Sequence, residues 1–172
     1  MSKSLIIVDM QNDFISGTLK NDAAEAIIPK INKLILEGDY DHIYCTLDSH
    51  DESYLSTQEG KMLPIKHCIK GTYGHQLDDR IHQAIAESGK RYCFIEKPTF
   101  GMLSWISYCL NGDVIDIVGT CTDICVVSNA LIIKAAFPDA TVRVVASACA
   151  GTSESKHIAA LDVMRSCQIH II

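Results

Sequence analysis

The chain has no long apolar run, no block of like charges and no Gly-x-Gly-x-x-Gly after its first apolar stretch, and each absence removes a class of function. Nothing approaches the roughly 20 consecutive apolar residues that a membrane-spanning helix needs, so no membrane partner is expected. Basic residues stand singly or in pairs against a formal net charge of −6. They form no patch able to track a phosphate backbone, and nucleic acid is not expected as a partner. The missing glycine fingerprint argues against a dinucleotide cradle, and no organic cofactor is expected. There is no Cys-x-x-Cys pair, and the four-residue step from Cys121 to Cys125 does not match a zinc knuckle.

Met1-Ser2-Lys3-Ser4 runs straight into Leu5-Ile6-Ile7-Val8, an apolar stretch too short for an export signal and broken at once by Asp9. A cytoplasmic location is the expectation. The eight cysteines then read as free thiols unless chemistry or a metal claims them. No internal repeat, low-complexity tract or linker interrupts the 172 residues, of which 48% are hydrophobic and 21% charged. That balance suits one domain with a single sizeable core, spanning 1–172.

Leu5 to Val8 reads as a buried strand. Ala24, Ile27, Ile28, Ile31, Leu34 and Ile35 recur at helical spacing behind a possible capping box, Asp22 to Glu25, and Gly38 marks a stop. His42 to Leu47 is a second strand ending at Asp48. Ser49 to Tyr73 is polar, glycine-punctuated and without period, long for an inert connection. Leu77, Ile81, Ala84 and Ile85 mark a helix ended by Gly89, and Tyr92 to Ile95 a third strand followed by Lys97.

Leu103, Ile106 and Leu110 suggest a short helix closed by Asn111-Gly112. A fourth strand from Val114 turns at Val118 to Val126 into an apolar helical segment reaching Ala136. A fifth strand, Val142 to Ala146, a helix carrying Ile158, Leu161 and Met164, and a sixth strand, Gln168 to Ile172, complete the chain. Alternation of this kind predicts an α/β fold: a mainly parallel sheet, helices on both faces, and a ligand site outside the carboxyl ends of the strands.

Asp9, Asp48, Lys97 and the turn from Cys121 to Cys125 all fall at such ends, so a parallel sheet brings them to one rim. Cys125 lies where a strand becomes a helix, with free N–H groups and the positive dipole end favouring a thiolate. Taken singly, Cys125 is a packed thiol, Asp9 a loop carboxylate and Lys97 a solvated charge. Together they offer a nucleophile, a base and a stabilising cation. Asp48-Ser49-His50 and His67 add one carboxylate and two imidazoles, a donor set that suits zinc, manganese or iron(II). His42, His75, His82, His157 and His170 are read as structural or surface residues.

Three segments, Leu5-Ile6-Ile7-Val8-Asp9-Met10-Gln11-Asn12-Asp13-Phe14, Lys97-Pro98-Thr99-Phe100 and Gly119-Thr120-Cys121-Thr122-Asp123-Ile124-Cys125-Val126, resemble the isochorismatase-like cysteine hydrolases. Asp48-Ser49-His50 and His67-Cys68-Ile69-Lys70-Gly71-Thr72 resemble the metal-binding segments of the nicotinamidases within that superfamily. The resemblance implies a Rossmann-like three-layer sandwich with a six-stranded, mainly parallel sheet. It also implies amide hydrolysis through a Cys125 thioester.

By that analogy Asp9 moves the proton, Lys97 holds the ion pair, and the N–H groups of Cys121 and Cys125 form an oxyanion hole after a cis peptide at Thr120–Cys121. A divalent metal, zinc before manganese or iron, would sit on Asp48, His50 and His67 and hold a heteroaromatic amide against Phe14 and Phe100. Nicotinamide, yielding nicotinate and ammonia for NAD salvage, is the implied substrate, and a homo-oligomer the implied state. At Leu63-Pro64 the chain departs from those enzymes, which carry Trp-Pro shortly before the histidine; Phe100, Trp105 or a partner subunit would then supply the ring wall. The remaining readings are a cysteine amidase for another small amide, a non-catalytic Rossmann-like binding module, and a redox role for Cys121 and Cys125.

Overall fold

A computed structural model of the chain describes residues 2–108 and 114–172. Its strands are β1 (Lys3–Val8), β2 (His42–Asp48), β3 (Arg91–Lys97), β4 (Val114–Thr120), β5 (Thr141–Ala150) and β6 (His170–Ile171). They form one six-stranded sheet in the order β3-β2-β1-β4-β5-β6, every neighbouring pair parallel. The helices are α1 (Asn12–Ile15), α2 (Asp22–Glu37), α3 (Gln58–Met62), α4 (Asp79–Ser88), α5 (Val127–Ala136) and α6 (Glu154–Ser166).

The apolar strands alternate between two cores. Leu5, Ile7, Ile43 and Cys45 pack with Ile28, Ile31 and Ile35 of α2 and Ile81 and Ile85 of α4 on one face. Ile6, Val8, Ile115 and Ile117 pack with Ile133 of α5, Leu161 and Met164 of α6, and Trp105 on the other. Each fully buried isoleucine stabilises this arrangement by about 1.5–3 kcal/mol. A run that must feed two cores is continuously apolar, which is why β1 lacks the polar alternation of a half-exposed strand.

Strands 1, 2 and 3 progress toward one edge of the sheet and 4, 5 and 6 toward the other. The order therefore reverses between β1 and β4, and the crevice at such a switch point is where ligands bind in open α/β sheets. There Gly119 adopts a φ of 117° and lies against β1 so closely that a Cβ would overlap the backbone of Val8. Thr120–Cys121 is a cis peptide.

Several expectations are corrected. The α2 cap is Asn21, whose side chain accepts from the Ala23 N–H, one residue before the capping box read at Asp22 to Glu25. The polar stretch after β2 contains a 3-10 turn, Tyr54–Ser56, and α3, too short to leave a periodic signal. β5 is longer than expected because a register shift after Ile117 lets pairing resume at Gly119, whereas β6 is shorter.

Leu103–Tyr108 is 3-10 in type, and its Leu103 and Ile106 face solvent; Leu110 and Asn111-Gly112 lie outside the described residues. The expected helix with Ile158, Leu161 and Met164 is α6; its buried side chains are Ala160, Leu161 and Met164, and Ile158 is exposed. Among the described residues no helix is long and apolar enough to cross a membrane.

Candidate active site

Asp9 directly follows β1, and its φ of 49° turns the chain sharply and leaves the side chain fully buried over the sheet edge. Thr46 of β2 donates its hydroxyl to Asp9 Oδ1 at 2.6 Å. Lys97, the last residue of β3 rather than one beyond it, reaches across β2 and sets Nζ 2.6 Å from Asp9 Oδ2. That contact is an ion pair; among the described residues no donor is aligned on Oδ2 as a hydrogen bond. The same Nζ lies 3.7 Å from Cys125 Sγ and 3.1 Å from the Thr99 carbonyl.

Cys125 is in a π-helical turn, Thr122–Val126, that leads into α5. The Cys121 carbonyl accepts from both Ile124 N and Val126 N at 3.0 Å, closing the turn around Cys125. Such one-turn π segments often mark functional positions.

Burial raises the Asp9 carboxyl above its ordinary range, against the opposing charge of Lys97. Burial also raises the Cys125 thiol well above its ordinary value, and the Asp9 charge adds to it. For Lys97 burial pulls the other way, but Asp9, Cys125 and Asp48 together keep it firmly protonated. Burial thus works against charge on both Asp9 and Cys125, and Lys97 is the cation that offsets it. Asp9 acts directly on the Cys125 thiol and is the candidate acceptor of its proton, in a buried setting where such a transfer is sensitive to nearby charge.

Asp48, His50 and His67 also converge. Asp48 Oδ2 stands 3.0 Å from His50 Nε2 and 3.2 Å from His67 Nε2. One ligand atom from each of the three lies within 4.8 Å of the others. Burial opposes the Asp48 charge, yet the hydrogen bonds from His50 and His67 hold its carboxyl well below the usual range. His67 Nδ1 is bonded to the Ile65 carbonyl at 2.9 Å, which directs Nε2 inward as a metal ligand requires. This N2O set of buried, convergent donors fits a divalent transition metal.

Phe14, Phe100, Asp48, His67, Cys121 and Cys125 line one cavity of about 550 Å3, so both candidate ring contacts and both residue clusters open into the same space. Leu19, Leu63 and Ile124 also line it. Trp105 does not: it is fully buried and donates its indole N–H to Asn129 Oδ1 at 2.8 Å. Near Leu63 the wall is aliphatic.

Four further residues shape the site. Glu59 of α3 places Oε1 3.7 Å and 3.9 Å from His50 and His67 Nε2, a fourth potential ligand. Tyr54 is buried with its ring 4.7 Å from His50 and 4.9 Å from His67. Their only sequence signal is position: an aromatic and an acid between two histidines in an over-long polar loop. Asn129, one turn beyond Cys125, donates to the Cys125 and Phe100 carbonyls and so joins the two cavity walls. His75, read as structural or surface, is buried and hydrogen-bonded to Ser49 Oγ at 2.7 Å.

Fold and site together define a three-layer α/β protein with a cysteine, carboxylate and lysine group at the switch point and a metal-competent cluster beside it. The chain belongs to the isochorismatase family: residues 3–172 match the Isochorismatase domain. It is 29% identical, over 99% of its length and 98% of the relative's, to the nicotinamidase/pyrazinamidase of Mycobacterium tuberculosis. A crystal structure of pyrazinamidase/nicotinamidase from Streptococcus mutans superposes with a TM-score of 0.84 at 31% identity, covering 99% of this chain and all of that one. The pyrazinamidase of Pyrococcus horikoshii, solved in complex with zinc, gives 0.78 at 26% identity over 100% and 99% of the two chains.

Proposed function

We propose that this chain is a metal-dependent amidase of the nicotinamidase type, one domain over residues 1–172, that converts nicotinamide to nicotinate and ammonia. The observation that carries this reading is the shared cavity, which exposes Cys125, backed by Asp9 and Lys97, beside Asp48 and His67. The named activities of the relatives support it.

Asp9 takes the Cys125 proton as Sγ attacks the carboxamide carbon, and Lys97 stabilises the negative charge as it passes from the carboxylate to sulfur. The developing oxyanion is received by the N–H groups of Cys121 and Cys125. Asp9 then returns the proton to the amide nitrogen, the C–N bond breaks and ammonia leaves, with the acyl group held as a thioester. Water then attacks the thioester carbon as Asp9 takes its proton; the C–S bond breaks, the acid leaves, and Asp9 returns the proton to Sγ. Asp48, His50 and His67, with Glu59 as a fourth contact, would hold zinc, or manganese or iron. When bound, the cation supplies a positive anchor for a ring nitrogen, while Phe14 and Phe100 pack on the ring.

Ammonia release from nicotinamide is the test. His67→Ala and metal stripping are each expected to cut kcat/KM about 10- to 100-fold or more, with Zn2+ restoring only the stripped protein; activity indifferent to both removes the metal. A second reading, an amidase for a different small amide, is favoured by the aliphatic wall of Leu19, Leu63 and Ile124. A higher kcat/KM on another amide of a panel would select it.

The enzyme works in the cytoplasm, in nicotinamide salvage for NAD, as a homo-oligomer. Leu103 and Ile106, 84% and 64% exposed, support self-association. A sedimentation run that finds only monomer at micromolar concentration removes that part.

A further inference from the structure

Between Asp9 and Phe14 the chain carries three polar residues, Gln11, Asn12 and Asp13, all buried and none of them part of the reaction described above. Each reaches a segment far away in sequence. Gln11 Oε1 accepts from Asp48 N at 2.7 Å, and its Nε2 donates to the Asp48 carbonyl at 2.8 Å and the His75 carbonyl at 2.9 Å. Asn12 Nδ2 donates to the Tyr73 carbonyl. Asp13 Oδ2 accepts from Cys68 N at 2.7 Å and its Oδ1 from Thr18 N at 3.2 Å.

Cys68 is the neighbour of His67, is fully buried, and has a φ of 48°. A non-glycine residue in that left-handed region persists only where its surroundings impose it. Here the hold is double. The Cys68 N–H is taken by Asp13, and the Cys68 carbonyl accepts from His50 N at 3.0 Å. One kinked residue thus connects both histidine-bearing segments, and Asp13 grips it from below. Gly17 and Gly74 close on the same carboxylate so tightly that a Cβ at either would overlap it. The absence of a Cβ at Gly17 and Gly74 is what makes room for the carboxylate there.

We propose that Asp13 is a positioning residue for the metal site: through the Cys68 N–H it sets the place of His67, and through the Cys68 carbonyl the place of His50. The proposal rests on the metal reading above. It also gives a reason for the Asp9 to Phe14 segment to be dense in polar side chains. The residue that moves the proton and the residues that fix the metal ligands stand on one short, rigid piece of chain, so the distance between the two halves of the site is held constant.

The test is Zn2+ affinity, measured on metal-free full-length protein by competition with a chromogenic chelator, together with the visible absorption of the Co2+-loaded protein. Asp13→Ala is expected to weaken Zn2+ binding 10- to 100-fold and to alter the Co2+ spectrum. The peptide-resolved alkylation rate of Cys125 by iodoacetamide, taken without metal, is expected to stay within about twofold.

Adding Cys68→Gly, which adopts the positive φ without being held there, is expected to recover much of the lost affinity. Asp13→Asn keeps one acceptor and carries the same comparison if the alanine variant does not fold. Affinity within twofold of the unaltered protein in both variants overturns the proposal, as does a loss of Zn2+ binding matched by an equal loss of Cys125 alkylation. Unaltered protein that binds no Zn2+ sinks the metal reading itself and this inference with it.

Discussion

Replacing Cys125 by alanine is expected to lower ammonia release from nicotinamide by about 10,000-fold or more, the scale on which removal of a covalent nucleophile acts. Zn2+ affinity is expected to survive, because Asp48, His50 and His67 come from β2 and the loop after it, not from the turn that carries Cys125. The loss should fall on kcat, since Sγ makes its bond only as the reaction proceeds. Stopped-flow mixing of the unaltered protein with substrate, followed by acid quench and intact-mass measurement, should trap an acyl adduct on Cys125 that the variant lacks. Full activity in Cys125→Ala would end the thioester mechanism.

Asp9→Asn is the second large effect, and it acts on two properties at once. Asn cannot take the thiol proton, and loss of a general base lowers rate by roughly 100- to 10,000-fold. It also leaves the Lys97 ammonium, 1% exposed, without its counter-ion. Breaking a buried ion pair from one side costs about 3–5 kcal/mol, which a urea titration would register as a lower midpoint with little change in slope.

Asp9→Asn/Lys97→Met removes both charges and is expected to regain stability without regaining activity. The unaltered enzyme should also lose kcat/KM as pH falls through the Asp9 titration. Because burial raises that carboxyl, the acid limb is expected above the ordinary carboxylate range, and in Asp9→Asn it should disappear. An acid limb unchanged in Asp9→Asn would assign it to another group.

How much of this was legible in the chain follows from the range of the interactions involved. Apolar runs of four or more residues and helical spacing are local patterns, and from them the order of strands and helices was readable. A parallel sheet has only one end where strands finish, so Asp9, Lys97 and the Cys125 turn had to share a rim; that they come within reach of one another was decided by the sheet order β3-β2-β1-β4. Asn21 and Asp22 both have side chains able to cap, so the sequence places the helix start only to within a residue; the extended backbone of Asn21 and its bond from the Ala23 N–H settle it. The helix carrying Ile158, Leu161 and Met164 forms as its spacing suggests, but which of its sides is buried is decided by packing.

Sequence by itself determined that this is an α/β chain with a parallel sheet, and which carboxylate, amine and thiol stand at its rim, since strand formation and chain direction are written in near neighbours. Tertiary structure alone decided the rest. Glu59 and Tyr54 reach the histidines because a loop without period folds into two short turns. Trp105 is withdrawn from the cavity because Asn129 offers its indole N–H a buried partner. Asp13 grips Cys68, 55 positions on, through a hydrogen bond that no local pattern foretells. Such contacts depend on where distant backbone comes to rest, and that place is set by the packing of the whole core.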